Sequence, residues 1–106
     1  MNIPEISVQE LKAKLDKKET FILLDVREPH EHDLAKIPGS TLIPLGTLPA
    51  RFAELDKSVK LIVHCKMGGR SARAVQFLRE KGYDATNVAG GINAWSESVD
   101  SSVPQY

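Results

Sequence analysis

Short apolar runs alternate along this chain with segments whose apolar residues recur at helical spacing. The clearest runs are residues 21–26 and 61–64, and the clearest helical segment is 71–81. A buried strand of a parallel sheet is apolar on both faces, whereas a helix that covers the sheet is apolar along one stripe. The alternation therefore predicts an α/β fold with a mainly parallel sheet.

Weaker signals complete this outline. Ser7 and Glu10 form a capping box before a helical pattern, and Pro29 suits the first turn of a helix over 28–34. Further predicted elements are a strand at 41–43, a helix at 48–55, a strand at 86–88 and a helix at 92–95. We expect one domain over residues 1–106, of which about 97–106 is a polar tail.

The overall composition narrows the classes of partner. The 106 residues contain 14 basic and 14 acidic side chains, so charge gives no reason to expect nucleic-acid or membrane-surface binding. No apolar run approaches the roughly 20 residues of a membrane span, and residues 1–5 lack the features of a secretory signal. A single cysteine cannot form an internal disulfide, so we expect a reducing, cytoplasmic setting.

That cysteine, Cys65, lies where the apolar run 61–64 ends and just before the helix predicted from Ser71. Ligands of parallel sheets bind at the carboxyl ends of strands, and a helix N-terminus stabilises a thiolate. Gly68 and Gly69 let the backbone adopt positive φ, so that successive amides can face the sulfur. Lys66 and Arg70 are cations that lower a thiol pKa. We therefore interpret Cys65 as a nucleophile, rather than as a buried structural cysteine.

The three histidines receive less specific interpretations. His64 should point away from Cys65, since adjacent strand residues face opposite sides, and we expect a structural role beneath the sheet. His30 and His32 are expected on a solvated helix face, without a metal site or a cofactor.

Four segments, in this order, resemble the motifs of the rhodanese family of sulfurtransferases. They are residues 24–31, residues 37–45, the Cys65–Arg70 loop with the 71–74 segment, and residues 90–95. Ala35 and Lys36 stand where many members carry Gly-His, outside the loop. The resemblance implies a five-stranded parallel sheet with helices on both faces.

The same resemblance implies a reaction in which the Cys65 thiolate takes sulfur from thiosulfate, polysulfide or a protein persulfide. The resulting persulfide passes the sulfur to a thiol, cyanide or a sulfur-carrier protein. The residues implied in binding the donor and stabilising the anions are Lys66, Met67, Gly68, Gly69 and Arg70. The tail 99–106 resembles the ending of rhodanese domains fused to enzymes that activate sulfur-carrier proteins.

Two residues near the first motif remain less defined. Asp25 ends a buried strand, and we expect its carboxylate to accept hydrogen bonds that brace neighbouring loops. Arg27 either faces the mouth of the active site, where it would bind substrate, or pairs with an acid such as Glu28. Trp95 is expected in the core.

Two other functions compete with sulfur transfer. A phosphatase or arsenate reductase uses a related Cys-x5-Arg loop, but here only four residues separate Cys65 from Arg70, and no aspartate is evidently placed as general acid. A non-catalytic rhodanese-like interaction module is the second rival. Such modules often lack the cysteine, which this chain retains.

Overall fold

The structure, a computed structural model, describes residues 2–106 and contains one five-stranded sheet. The strand order is β1-β5-β4-β2-β3, and every pair of neighbouring strands is parallel. The strands are β1 (Glu5–Ile6), β2 (Ile22–Asp25), β3 (Thr41–Leu42), β4 (Leu61–His64) and β5 (Ala85–Val88). This confirms the predicted α/β fold and shows that the sheet is parallel throughout.

Helices cover both faces of the sheet. They are α1 (Val8–Asp16), α2 (Pro29–Leu34), α3 (Leu48–Arg51), α4 (Gly69–Glu80) and α5 (Gly91–Ser98). Residues from α1 and α5 form the core on one face with Ile62, whereas residues from α3 and α4 form the core on the other face with Val63. The alternation of side chains along β4 therefore supplies both cores.

Several predicted boundaries shift in the structure. The helix predicted at 48–55 is only α3, flanked by 3-10 turns at Leu45–Thr47 and Phe52–Glu54. Helix α4 begins at Gly69 rather than at Ser71, and β1 was not predicted because two residues show no periodicity. The capping box at Ser7 and the core position of Trp95 are confirmed.

The predicted polar tail has more structure than its composition indicates. Helix α5 extends to Ser98, and Val103 is buried against the core that contains α1 and α5. The Ser96 hydroxyl donates to the Val103 carbonyl at 2.6 Å. These contacts bring the end of the described chain, Tyr106, back toward the carboxyl edge of the sheet.

None of the helices within residues 2–106 combines the length and the apolar composition that crossing a membrane requires.

Candidate functional site

Cys65 follows β4 directly and its sulfur lies inside the loop that leads to α4. The side chain has only 1% of its surface exposed. The backbone N–H of Gly68 donates to Cys65 Sγ at 3.0 Å, and the Ser71 hydroxyl lies 3.3 Å from the same sulfur. Residues 65–71 therefore enclose the sulfur with hydrogen-bond donors, an arrangement that stabilises a negative charge there.

The conformation of Gly68 makes this arrangement possible. Gly68 has φ of 110° and occupies the N-cap position of α4, a backbone conformation that residues with a side chain rarely adopt. The expectation that Gly69 also has positive φ is wrong, since its φ lies outside the left-handed region at the start of α4. A single turn at Gly68 is enough to direct the loop amides inward.

The pKa of the Cys65 thiol lies below its ordinary value. Burial raises this pKa. The hydrogen bonds from the Ser71 side chain and from the backbone of Ser71, Gly68 and Met67 together lower it by more than burial raises it. Arg70 and the thiolate also stabilise each other electrostatically. The hydrogen bonds of the loop and helix start thus act directly on the sulfur, and Ser71 is a contributor that no sequence motif indicated.

Ser71 belongs to a short polar chain that runs to the sheet. Its hydroxyl lies 2.5 Å from Asn87 Oδ1, and Asn87 Nδ2 donates to Glu5 Oε2 at 2.9 Å and to the Gly68 carbonyl at 3.3 Å. Asn87 is on β5, the strand next to β4, and from there it contacts both Gly68 and Ser71. No sequence motif pointed to Asn87, because its role depends on strand order.

The two loop cations, Lys66 and Arg70, contact side chains from outside the loop. Arg70 forms a bidentate pair with Glu31, at 2.6 Å and 2.9 Å. Lys66 Nζ lies 4.6 Å from the centre of the Tyr106 ring. Met67, in the same loop, is 70% exposed. The sequence predicted the positions of these residues near Cys65, but it did not identify Glu31 and Tyr106 as their partners.

Arg27 is fully buried rather than open to the mouth of the site. Its guanidinium donates to both carboxylate oxygens of Asp25, at 2.9 Å and 2.7 Å, and to the Tyr106 hydroxyl at 2.8 Å. Arg27 therefore pairs with an acid, as the second alternative predicts, and the acid is Asp25 rather than Glu28. With no exposed surface, Arg27 can reach a ligand only through neighbouring side chains.

Asp25 has the expected bracing role. Burial raises its pKa, but the hydrogen bonds from Arg27, the charge of His64 and the contact with His32 hold it below its usual value. His32 Nδ1 lies 2.9 Å from Asp25 Oδ2, so the prediction of a solvated face is wrong for His32, although His30 is exposed. The inner side of α2 meets the buried carboxylate, which requires polar partners.

His64 lies on the opposite face of β4 from the Cys65 side chain, as the strand alternation predicts, and it is fully buried. Desolvation is the main reason that its pKa falls to about 4. Within residues 2–106, no group of three or more His, Cys, Asp and Glu side chains converges as a metal site would require.

Comparisons with known proteins agree with this architecture. The family model described as a rhodanese-like domain matches residues 7–98. The putative sulfurtransferase YtwF of Bacillus subtilis is 38% identical over 95 residues, which cover 90% of this chain and 92% of that protein. A rhodanese-like domain protein from Staphylococcus aureus superposes with a TM-score of 0.86 and 34% identity, covering 98% of this chain and 99% of that one.

A longer relative is also similar to this chain. The adenylyltransferase and sulfurtransferase MOCS3 of Arabidopsis thaliana is 38% identical over 118 residues, which cover 95% of this chain. This chain spans about a quarter of the length of that relative, since the match covers 25% of it.

Proposed function

Because the chain belongs to the rhodanese-like domain family, we propose that it is a sulfurtransferase that carries sulfur as a persulfide on Cys65. The observation that carries this proposal is the set of hydrogen bonds around the sulfur. The Gly68 N–H donates to Cys65 Sγ and the Ser71 hydroxyl lies within hydrogen-bond distance of it, at the carboxyl end of a central parallel strand. Donors that stabilise a thiolate also stabilise the terminal sulfur anion of a persulfide.

The reaction proposed for thiosulfate proceeds in two displacements. The Cys65 thiolate attacks the outer sulfur of thiosulfate, a new S–S bond forms, and the old S–S bond breaks with its electron pair leaving on sulfite. A nucleophilic acceptor such as cyanide or a thiolate then attacks the terminal sulfur of the persulfide. The electron pair of the broken bond returns to Cys65, which regains its thiolate form.

Several donors and acceptors fit this chemistry. Thiosulfate, a polysulfide or a protein persulfide can supply the sulfur, and a thiol, cyanide or a sulfur-carrier protein can accept it. The match to a relative that joins an adenylyltransferase with a sulfurtransferase supports a protein acceptor. The lone cysteine, which has no partner within the 106 residues for a disulfide, supports a reducing, cytoplasmic setting.

Lys66, Met67, Gly68, Gly69 and Arg70 form the proposed substrate-binding loop. The loop from Cys65 to Arg70 has six residues, so its amides surround a single sulfur atom more closely than a seven-residue phosphatase loop would. We assign Arg27 the role of supporting Tyr106 and Asp25, and its burial and hydrogen bonds favour this role.

Mass spectrometry of the intact protein tests the proposal. The chain is incubated with thiosulfate, with polysulfide or with a persulfidated cysteine desulfurase, and we expect a gain of one sulfur that peptide mapping places on Cys65. Cyanide should then remove the added sulfur. The Cys65→Ser variant should gain none, whereas a wild-type chain that gains no sulfur from any of the donors would contradict the proposal.

A further inference from the structure

The guanidinium of Arg70 already holds a carboxylate from its own chain. Arg70 Nη1 lies 2.6 Å from Glu31 Oε1 and Arg70 Nη2 lies 2.9 Å from Glu31 Oε2. Two parallel N–H···O bonds of this kind are the geometry with which arginine binds carboxylate and other oxyanions. A small anionic donor that approaches Cys65 therefore meets an arginine whose Nη1–Nη2 edge is already occupied.

Glu31 is itself held in place from two sides. The Tyr106 hydroxyl donates to Glu31 Oε2 at 2.7 Å, and the backbone N–H of Glu28 donates to Glu31 Oε1 at 3.0 Å. The Tyr106 hydroxyl in turn accepts a hydrogen bond from buried Arg27 at 2.8 Å. Glu31 is only 7% exposed, so its position is set by the fold rather than by solvent.

The two other cations near the loop, Arg27 and Lys66, differ in their partners. Arg27 pairs with Asp25 at 2.7 Å in the buried layer below. Lys66 has no carboxylate within ion-pair distance among residues 2–106, and its ammonium lies over the Tyr106 ring. Lys66 is thus the one loop cation that these pairs leave without a carboxylate.

We propose that Glu31 is a specificity-determining residue, which occupies Arg70 and so disfavours small anionic sulfur donors, and that Tyr106 is the positioning residue that holds it. The inference rests on the proposed function, since it takes Cys65 as the reacting atom. Donors that are neutral at the transferred sulfur, or that bring a whole protein surface to displace Glu31, lose less from this pairing than thiosulfate does.

Two alkylating reagents of similar size test the electrostatic part directly. Iodoacetate carries a negative charge and iodoacetamide does not, and both react with the Cys65 thiolate. We compare the rate constant for iodoacetate with that for iodoacetamide as a ratio. A change in the thiolate fraction or in general access to the sulfur affects both rate constants equally and leaves this ratio unchanged. Removing the Glu31 charge with Glu31→Gln should raise this ratio about 3- to 10-fold at low salt, because Arg70 then attracts the anion.

The variants divide the effect between charge and position. Tyr106→Phe keeps the ring beneath Lys66 but removes the hydrogen bond to Glu31, so we expect a smaller rise of about twofold. Glu54→Gln removes a carboxylate from an exposed pair with Arg51 and should leave the ratio unchanged. Thiosulfate KM should fall in Glu31→Gln with a smaller change in kcat, because the freed arginine acts on binding.

Circular dichroism and thermal unfolding establish that each variant is folded. An unchanged ratio in folded Tyr106→Phe and in folded Glu31→Gln would overturn the proposal, and an unchanged ratio in Tyr106→Phe alone would overturn the positioning role of Tyr106. A raised ratio together with no sulfur uptake by the wild type would contradict the proposed sulfur transfer while supporting the action of Glu31 at Cys65.

Discussion

The backbone N–H of Ile92 donates a hydrogen bond to the carbonyl oxygen of Cys65 at 2.9 Å. The next N–H, that of Asn93, donates to the Lys66 carbonyl at 3.1 Å. The first turn of α5 thus binds the two carbonyls at the start of the loop. Free N–H groups at a helix start favour such acceptors, so α5 fixes the orientation of the first loop peptides.

Gly91 is the residue that lets α5 approach so closely. Its φ is 57°, and a Cβ added there would lie 2.5 Å from the carbonyl oxygens of both Cys65 and Lys66. We expect Gly91→Ala to lower the free energy of unfolding by about 2–4 kcal/mol, because the loop or the helix must shift. Urea denaturation measures this change, and iodoacetamide reactivity shows whether the loop around Cys65 has moved.

Gly46→Ala is the matched control for this prediction. An added Cβ at Gly46 meets no heavy atom within 4 Å, and φ there lies outside the left-handed region. Its effect should stay within about 0.5 kcal/mol. Equal stabilities of the two variants would show that the contact between α5 and the loop is not tight.

The sequence predicted those parts of the fold that depend on local pattern. Strands β2 and β4 each begin with three consecutive apolar residues, and α4 has a long apolar stripe, so hydrophobic patterning identified them. The position of Cys65 after β4 followed from the same pattern, because a strand followed by a glycine-containing turn and a helix is a local arrangement.

Contacts between residues distant in the chain could not be predicted in the same way. Glu31 and Arg70 are 39 positions apart, and Tyr106 and Arg27 are 79 positions apart. Side-chain pairs of this kind depend on strand order and on the path of the tail, neither of which leaves a periodic signal. Arg27 shows the consequence, since its sequence neighbours suggested a nearby acid such as Glu28 as the partner, whereas the fold also provides Tyr106.

Buried His64 gives the stability of the protein a dependence on pH. Desolvation lowers the pKa of His64 from 6.5 to about 4. The charge of Arg27 adds to this effect, and the charge of Asp25 opposes it. Between these two values the unfolded chain binds a proton that the folded chain excludes. Stability should therefore fall as pH decreases from 6.5 toward 4, by a total on the order of 3 kcal/mol from this residue.

Urea denaturation at several pH values across this window measures the effect. The His64→Gln variant should be less stable near pH 7 but should lose most of the slope between pH 6.5 and pH 4. His30→Gln replaces an exposed imidazole on α2 and should keep the wild-type pH dependence. If His64→Gln retained the full slope, another group would have to be responsible.

Ser71 should control the reactivity of Cys65 through a single proton. Its hydroxyl lies within hydrogen-bond distance of Cys65 Sγ, the Gly68 carbonyl and Asn87 Oδ1, but it can donate to only one of them at a time. We expect Ser71→Ala to raise the pKa of Cys65 and to slow alkylation by iodoacetamide at pH 7 about 3- to 10-fold.

A profile of alkylation rate against pH separates the two possible causes of slower reaction. A shift of the profile to higher pH, with the same plateau, identifies the lost hydrogen bond, whereas a lower plateau at the same midpoint would indicate obstruction and contradict this prediction. Ser58→Ala serves as control, because the Ser58 hydroxyl donates to the exposed Asp56.

The length of the loop should determine which group the site accepts. In the six residues from Cys65 to Arg70, the Gly68 N–H reaches the sulfur at 3.0 Å. One glycine inserted after Met67 widens the loop and moves this donor away. We expect sulfur uptake from thiosulfate to fall at least about tenfold, since a charge-assisted hydrogen bond contributes roughly 1.5–3 kcal/mol. An assay with p-nitrophenyl phosphate tests whether phosphate hydrolysis appears.

A glycine inserted after the exposed Gly39, in a turn outside the loop, should leave sulfur uptake unchanged. Full sulfur uptake by the chain with the lengthened loop would show that the six-residue spacing does not set the selectivity of the site.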